Sequence, residues 1–181
     1  MSKVYGFEYT IVRPHNCAGK RQSLQDPYRN VIGIFMNRLL QDKPYYIYGD
    51  GEQKRAFSFV NDFIPILAKC GFDEKAKNEI FNIGADKVYS INQLSDLLLS
   101  ITRKNILPIH VADRPQEVHD VWCSNEKAKK VLGFEDKTSL EEGLREMWTW
   151  AQSVGYKEPR YLPFLELTTK DTPKIWTDKL L

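Results

Sequence analysis

Two β-rich runs, each cut off by a chain-breaking residue, limit most sharply what this sequence can fold into. Tyr9-Thr10-Ile11-Val12 stops at Arg13-Pro14. Proline removes a backbone donor and restricts the residue before it, so a strand ends there and a loop begins. Ile80-Phe81-Asn82-Ile83 stops at Gly84 and reads as a second buried strand. Helical patterns fill the chain between and after these runs. Asn30 offers an N-cap for a helix through Gln41, with Val31, Phe35 and Leu39 in one apolar row and Ile32, Met36 and Leu40 in the row beside it. The expected fold is therefore mixed α/β.

The remaining elements follow from local signals. Tyr45-Tyr46-Ile47-Tyr48 reads as a short strand closed by the Gly49-Asp50-Gly51 turn. Phe57 and Phe59 alternate with Ser58 before Asn61 or Asp62 caps a helix, with Pro65 in its first turn. Ser90 and Gln93 form a capping box ahead of Leu94, Leu97, Leu98 and Ile101. Residues 106–111 are extended, and Pro108 marks an edge strand. A helix over 125–132 is stopped by Gly133, and a second capping box, Ser139 with Glu142, leads to Met147, Trp148 and Ala151. The first unit is expected to span 1–155. The tail, 156–181, has three prolines and no helical period, but its aromatic residues predict that it docks on a surface.

Composition narrows the function. With 42% hydrophobic and 28% charged residues, the chain has the make-up of a globular protein. A net charge of +2 is too small for a nucleic-acid footprint, and Lys127, Lys129 and Lys130 read as one solvated helix face. Three cysteines, odd in number and far apart, suit reduced thiols and a cytoplasmic location. No apolar run approaches a membrane span. His119 and Cys123 stand four apart near Glu117 and Asp120, yet no second ligand pair has zinc spacing, so no metal is expected. No motif raises Cys17 from a buried structural thiol to a nucleophile.

Three arginines stand beside chain-breaking or aromatic residues, in Arg13-Pro14, Arg55-Ala56-Phe57 and Arg114-Pro115. A guanidinium is a permanent cation with a planar donor fork that matches phosphate oxygens. Taken singly, each reads as a surface arginine in an ordinary ion pair. The surrounding words change that. Arg13-Pro14-His15-Asn16 followed by Gly19-Lys20-Arg21-Gln22 resembles the RPxNxYGPRQ segment of extended short-chain dehydrogenases that act on nucleotide-sugars. Tyr28-Arg29-Asn30-Val31, Tyr46-Ile47-Tyr48-Gly49, Arg55-Ala56-Phe57 through Val60 and Asp62, Phe81-Asn82-Ile83-Gly84, Arg114-Pro115-Gln116-Glu117 and Glu126-Lys127-Ala128 through Leu132-Gly133-Phe134 follow in that family's order. The chain is thereby identified as resembling the NAD-dependent epimerase/dehydratase family, in wording most similar to UDP-glucose 4-epimerase-like proteins.

The resemblance implies a partial Rossmann-type sheet, with strands near 9–13 and 80–84, joined to the smaller mixed α/β substrate-binding domain. It implies that Asn16 bonds the diphosphate region, that Pro14 and His15 line the nicotinamide, and that Asn30 and Val31 bring a helix N-terminus to phosphate. It places Tyr46 and Tyr48 around the base, Arg55 and Arg114 on the diphosphate, and Glu117 on the ribose. Core packing or an exposed strand face stays open for the two tyrosines. Gln116 replaces the family's glycine and calls for an unusual backbone conformation. Cys17-Ala18 stands where Val-Tyr is common. Ser124-Asn125 replaces Asp-x-Ser, with Ser124 still expected to cap.

The family's chemistry needs parts this sequence lacks. No three glycines fall in the Gly-x-Gly-x-x-Gly pattern that holds a dinucleotide pyrophosphate. None of the nine tyrosines has a lysine four residues later, so the Tyr-x-x-x-Lys pair is missing and no residue is assigned a catalytic role. The resemblance implies a chain that starts inside the helix after that lysine, with NAD held mainly by another half. The expected function is the nucleotide-sugar-binding half of a 4-epimerase, not competent alone. Rivals are a non-catalytic nucleotide-sugar or assembly module, and the same half of a dehydratase or decarboxylase. Open strand edges predict a homodimer, a separate Rossmann half as partner, or poor solubility.

Overall fold

The computed structural model describes residues 2–164 and 169–181. A short helix, α1 (Ser2–Tyr5), leads into β1 (Thr10–Pro14) and β2 (Cys17–Ala18), then α2 (Val31–Leu40), β3 (Tyr46–Tyr48), β4 (Lys54–Ala56), β5 (Ser58–Phe59) and α3 (Val60–Cys70). After a 3-10 turn at Glu74–Ala76 come β6 (Glu79–Ile83), β7 (Val88–Ser90), α4 (Ile91–Thr102), β8 (Ile109–Val111), β9 (Asp120–Val121), α5 (Glu126–Leu132), α6 (Leu140–Val154) and α7 (Lys174–Thr177).

The two breaker-terminated runs pair with each other. β1 lies parallel to β6, with Val12 opposite Phe81 and Pro14 opposite Ile83. Side chains alternate across a strand, and here only one face of the pair is covered. Phe81 and Ile83 are buried with Ile66 and Cys70 of α3 and with Ala128 and Leu132 of α5. The opposite face leaves Ile11 44% and Ile80 38% exposed, beside exposed Val4, Tyr5, Phe7 and Tyr9. Parallel sheets are ordinarily covered on both faces. Among the described residues nothing covers the other side of this one, as in the partial sheet expected from the sequence.

A larger core lies behind β3. Phe35 and Leu39 of α2, Leu94 and Leu98 of α4, and Leu144, Met147 and Trp148 of α6 pack there with Tyr45. Tyr45 stacks on Phe35 with ring centroids 4.1 Å apart, and its hydroxyl meets Ser95 Oγ at 2.7 Å. Both expected capping boxes form, at Ser90 with Gln93 and at Ser139 with Glu142. Three small ladders position the loops: β3 with β8 and β2 with β5, both parallel, and β4 between antiparallel β7 and parallel β9.

Several expectations need correction. Asn30 sits at the N-cap of α2 but in the left-handed region (φ 67), and its side chain makes no capping bond. α3 begins at Val60, directly where β5 ends, so neither Asn61 nor Asp62 caps it and Pro65 falls beyond the first turn. The Asp62 carboxylate instead accepts from Lys137 N, Thr138 N and Thr138 Oγ1, stapling the 137–138 loop to α3. Asn125, not Ser124, holds the N-cap of α5. Ser124 Oγ accepts from Glu126 N at 3.4 Å, while the Asn125 amide donates to Gly84 O at 2.7 Å and ties α5 to the end of β6.

The tail docks as expected. Asn37 clamps it by donating to Lys157 O (2.8 Å) and accepting from Lys157 N (2.9 Å), and Arg160 N donates to Gln25 O (2.7 Å). It also contains α7, one turn too short to show a period in the sequence. Positions 165–168 of the tail lie outside the described residues.

Candidate functional site

α2, β3 and the loops after β1 and β8 border one hollow of about 390 Å³. Ile47 points into the core, and the flanking Tyr46 and Tyr48 therefore face the other way, into the hollow. All eight residues predicted to touch a substrate line it: Asn16, Asn30, Val31, Tyr46, Tyr48, Arg55, Arg114 and Glu117. Pro14 and His15 do not.

The two arginines meet on one carboxylate. Glu117 Oε1 accepts from Arg55 Nη2 at 3.0 Å and from Arg114 Nη2, and Glu117 Oε2 accepts from Arg114 Nε at 3.0 Å. Arg55 is fixed further by donating through Nη1 to His119 O (2.7 Å) and through Nη2 to Val118 O (2.8 Å). Gln116 makes this possible by adopting φ 62, the left-handed conformation expected where the family has glycine. The turn brings Arg114 and Glu117 together. A carboxylate has about four lone-pair sites, and three bonds leave Glu117 room for one more donor. The bond from Glu117 raises the Arg114 pKa, outweighing the effect of burial.

The aromatic side is equally specific. The Arg114 guanidinium carbon sits 4.8 Å from the Tyr48 ring centroid, and that of Arg38 sits 5.9 Å from the ring of Tyr46. Burial pushes the Tyr48 hydroxyl up to about 12, against the lowering influence of Arg114, so it stays a neutral donor. Tyr48 Oη and Gln22 Oε1 are buried with no protein partner among the described residues, and both residues line the hollow. An unpaired buried polar atom costs on the order of 1–3 kcal/mol, a cost that a polar ligand reaching both would offset.

At the end of β1, His15 Nε2 lies 3.1 Å from both Val121 O and Asn16 Nδ2. The first contact is a bond in the Nε2–H tautomer and the second in the Nδ1–H tautomer. Asn16 itself is in the left-handed region (φ 41), and its carbonyl accepts from Ser58 N at 3.3 Å. Gly84, at the end of β6, offers no phosphate cradle: a Cβ there would meet Cys123 Sγ at 2.8 Å and His15 Cβ at 3.2 Å.

Sequence reasoning missed part of the lining. Tyr28, Ile175, Trp176 and Leu181 also border the hollow. Tyr28 belongs to one of the family-like motifs, and Trp176 to the aromatic residues that predict a docked tail, but nothing local in the sequence says that the tail docks on this hollow. Burial raises the Cys17 thiol and leaves it a poor nucleophile. All three cysteines are free. Among the described residues no three potential metal ligands gather, and no helix is long and apolar enough to cross a membrane.

The α/β scaffold thus carries paired guanidinium groups at one end of a hollow and tyrosine rings along its side. The chain belongs to the GDP-mannose 4,6 dehydratase family, whose model matches residues 1–147. It is similar to a putative UDP-glucose 4-epimerase of Methanocaldococcus jannaschii, 33% identical over 153 residues that make up 84% of this chain and 48% of the relative. A UDP-N-acetyl-α-D-glucosaminuronate decarboxylase of Bacillus cytotoxicus is 31% identical over 155 residues, covering 82% of this chain and 48% of that one. The crystal structure of UDP-glucose 4-epimerase from Thermotoga maritima with UDP-glucose matches with a TM-score of 0.76 at 36% identity, over 84% of this chain and 48% of the other. The chain thus spans about half the length of the relatives it matches.

Proposed function

We propose that this chain is the nucleotide-sugar-binding half of an NAD-dependent nucleotide-sugar 4-epimerase, with a UDP-sugar as its ligand. The observation that carries the reading is the convergence of Arg55 and Arg114 on Glu117, in the hollow that Asn16 and the N-terminus of α2 also border. The two guanidinium groups would grip the diphosphate, aided by the amides that open α2. Glu117 would take a ribose hydroxyl with its remaining lone pair, and Tyr46 and Tyr48 would flank the base. Pro14 and His15, at the carboxyl end of β1, would face the nicotinamide. NAD, when bound, supplies hydride transfer at the sugar ring. This chain's part is to hold and orient the sugar nucleotide, because it carries neither Tyr-x-x-x-Lys nor the Gly-rich turn.

The same half would serve a decarboxylase or dehydratase, and the similarity to the Bacillus cytotoxicus decarboxylase favours keeping that second reading. Calorimetric titration of the pure chain with UDP-glucose, with and without NAD, tests the first. Binding with no change in nicotinamide absorbance and no epimerised product is expected. Turnover by the chain alone would overturn its incompetence, and absence of binding would overturn the ligand.

The bare face of β1 and β6 is proposed to be covered by a second polypeptide, either the complementary Rossmann half or another copy. Sedimentation at rising concentration is expected to show self-association of the pure chain, and Ile11→Glu with Ile80→Glu is expected to abolish it. A wild-type chain that remains monomeric throughout would remove self-association as the explanation.

A further inference from the structure

The family match ends at residue 147, yet Ile175, Trp176 and Leu181 line the hollow. The segment that carries them is built in, not draped. Trp176 meets Tyr28 edge-on, with centroids 5.5 Å apart at 83°, and Tyr28 meets Tyr161 edge-on at 6.2 Å. The Tyr28 hydroxyl accepts from Leu162 N at 3.1 Å. The Tyr161 hydroxyl donates to Leu181 O at 3.0 Å and accepts from Leu181 N at 2.9 Å, closing the tail into a loop whose two ends are tied together. Within it, Ile175 of α7 is buried.

The position of this loop along β3 gives it a role. Successive tyrosines on one face of a strand stand about 7 Å apart. Arg114 lies over Tyr48. At the other tyrosine, Tyr46, stands Arg38, its guanidinium carbon 5.9 Å from the ring centroid. The guanidinium groups gathered on Glu117 mark the Tyr48 end of the hollow, and the tail supplies Ile175, Trp176 and Leu181 to its wall. Trp176 packs nearly at right angles to Tyr28 and is only partly buried where it lines the hollow, which leaves part of the indole accessible to another flat ring.

We propose that the tail is the wall of the base subsite, and that Trp176 stacks on the heterocyclic base of a nucleoside diphosphate ligand, making this segment a determinant of affinity for the base. This rests on the nucleotide-sugar reading above. Two probes separate the ends of the hollow on the full chain: UDP, which carries the base, and inorganic pyrophosphate, which carries only the anion. Stacking on a base is sequence-tolerant, and truncating its aromatic partner to alanine costs about tenfold in affinity or more. Trp176→Ala is therefore expected to weaken UDP binding by about tenfold while pyrophosphate affinity stays within about twofold, and Trp176→Phe is expected to restore most of the loss. Unchanged UDP affinity in Trp176→Ala, in a chain whose wild type binds UDP, overturns the role of the tail alone. Equal loss of both probes shows that Trp176 supports the hollow as a whole and also overturns it. A wild type that binds pyrophosphate but not UDP overturns the proposal through the base. Failure to bind either probe sinks the nucleotide-sugar reading on which it rests.

Discussion

Arg114→Ala is expected to weaken UDP-glucose binding by about a hundredfold, because it deletes two charge-assisted bonds of roughly 1.5 kcal/mol or more each. The side chain is poised for that task before any ligand arrives. Glu117 holds it through Nε and Nη2, and the Tyr48 ring lies beneath it. Holding the fork in place reduces the ordering entropy that binding must otherwise supply. Lysine would keep the charge but not the planar fork, so Arg114→Lys is expected to recover only about a tenth of the lost affinity. Stability should change little, since the Arg114 side chain is 32% exposed and a partly exposed ion pair contributes about 1 kcal/mol or less. Calorimetry of the ligand and a urea melt of the free chain read the two effects separately. An Arg114→Ala chain that binds UDP-glucose as tightly as wild type would show that the arginine pair is only a surface ion network.

Glu117 joins these arginines in a way that residue types alone do not reveal. The resemblance assigned it to the ribose, and the coordinates add that it first gathers two like charges at one rim of the hollow. Without it, Arg55 would still be tethered by the carbonyls of Val118 and His119, whereas Arg114 would lose both of its bonds to protein. The difference explains why the turn at Gln116 tolerates a left-handed non-glycine residue: the strain is local, and the ion pair it permits is shared by both guanidinium groups.

What could be read from the sequence follows the range of the forces involved. Capping boxes at Ser90 and Ser139 are contacts across three residues and were visible in the letters. The alternation that puts Tyr46 and Tyr48 on one face is a strand period, equally visible. Asp62 was misread because its carboxylate is spent on a loop at 137–138, a partner the local pattern cannot show. Asn30 is the N-cap residue that the sequence indicates, but its left-handed backbone, which the letters do not show, goes with the absence of a side-chain capping bond. β2, β5 and β9 are two residues each, below any period, and exist through their partners. The order of the family's motifs carried the site, since Arg55 and Arg114 are far apart in the chain and nothing in their spacing says they meet. The tail's place on the hollow depends on Asn37, Gln25 and Tyr28, all distant in sequence, and so lay beyond reach.

Phe35→Ala is expected to cost about 3–5 kcal/mol, the usual range for emptying a buried aromatic site. Phe35 is 2% exposed, lies in the apolar row of α2 and stacks on Tyr45 at an interplanar angle of 29°. Tyr45 in turn reaches Ser95 of α4, so one ring couples α2, β3 and α4. Folded domains retain only about 5–15 kcal/mol in all, so a loss of this size is a large fraction of the total. The variant should therefore unfold at a much lower urea concentration, read by circular dichroism, with an unchanged slope. Because Phe35 also lines the hollow, its loss should weaken UDP-glucose binding even at temperatures where the variant stays folded. Tyr45→Phe provides the contrast: the stack survives and only the bond to Ser95 goes, for about 1 kcal/mol. A Phe35→Ala chain that melts with the wild-type midpoint would mean that α2 and β3 are held by the rest of the core, and that the stack shapes the hollow without supporting the fold.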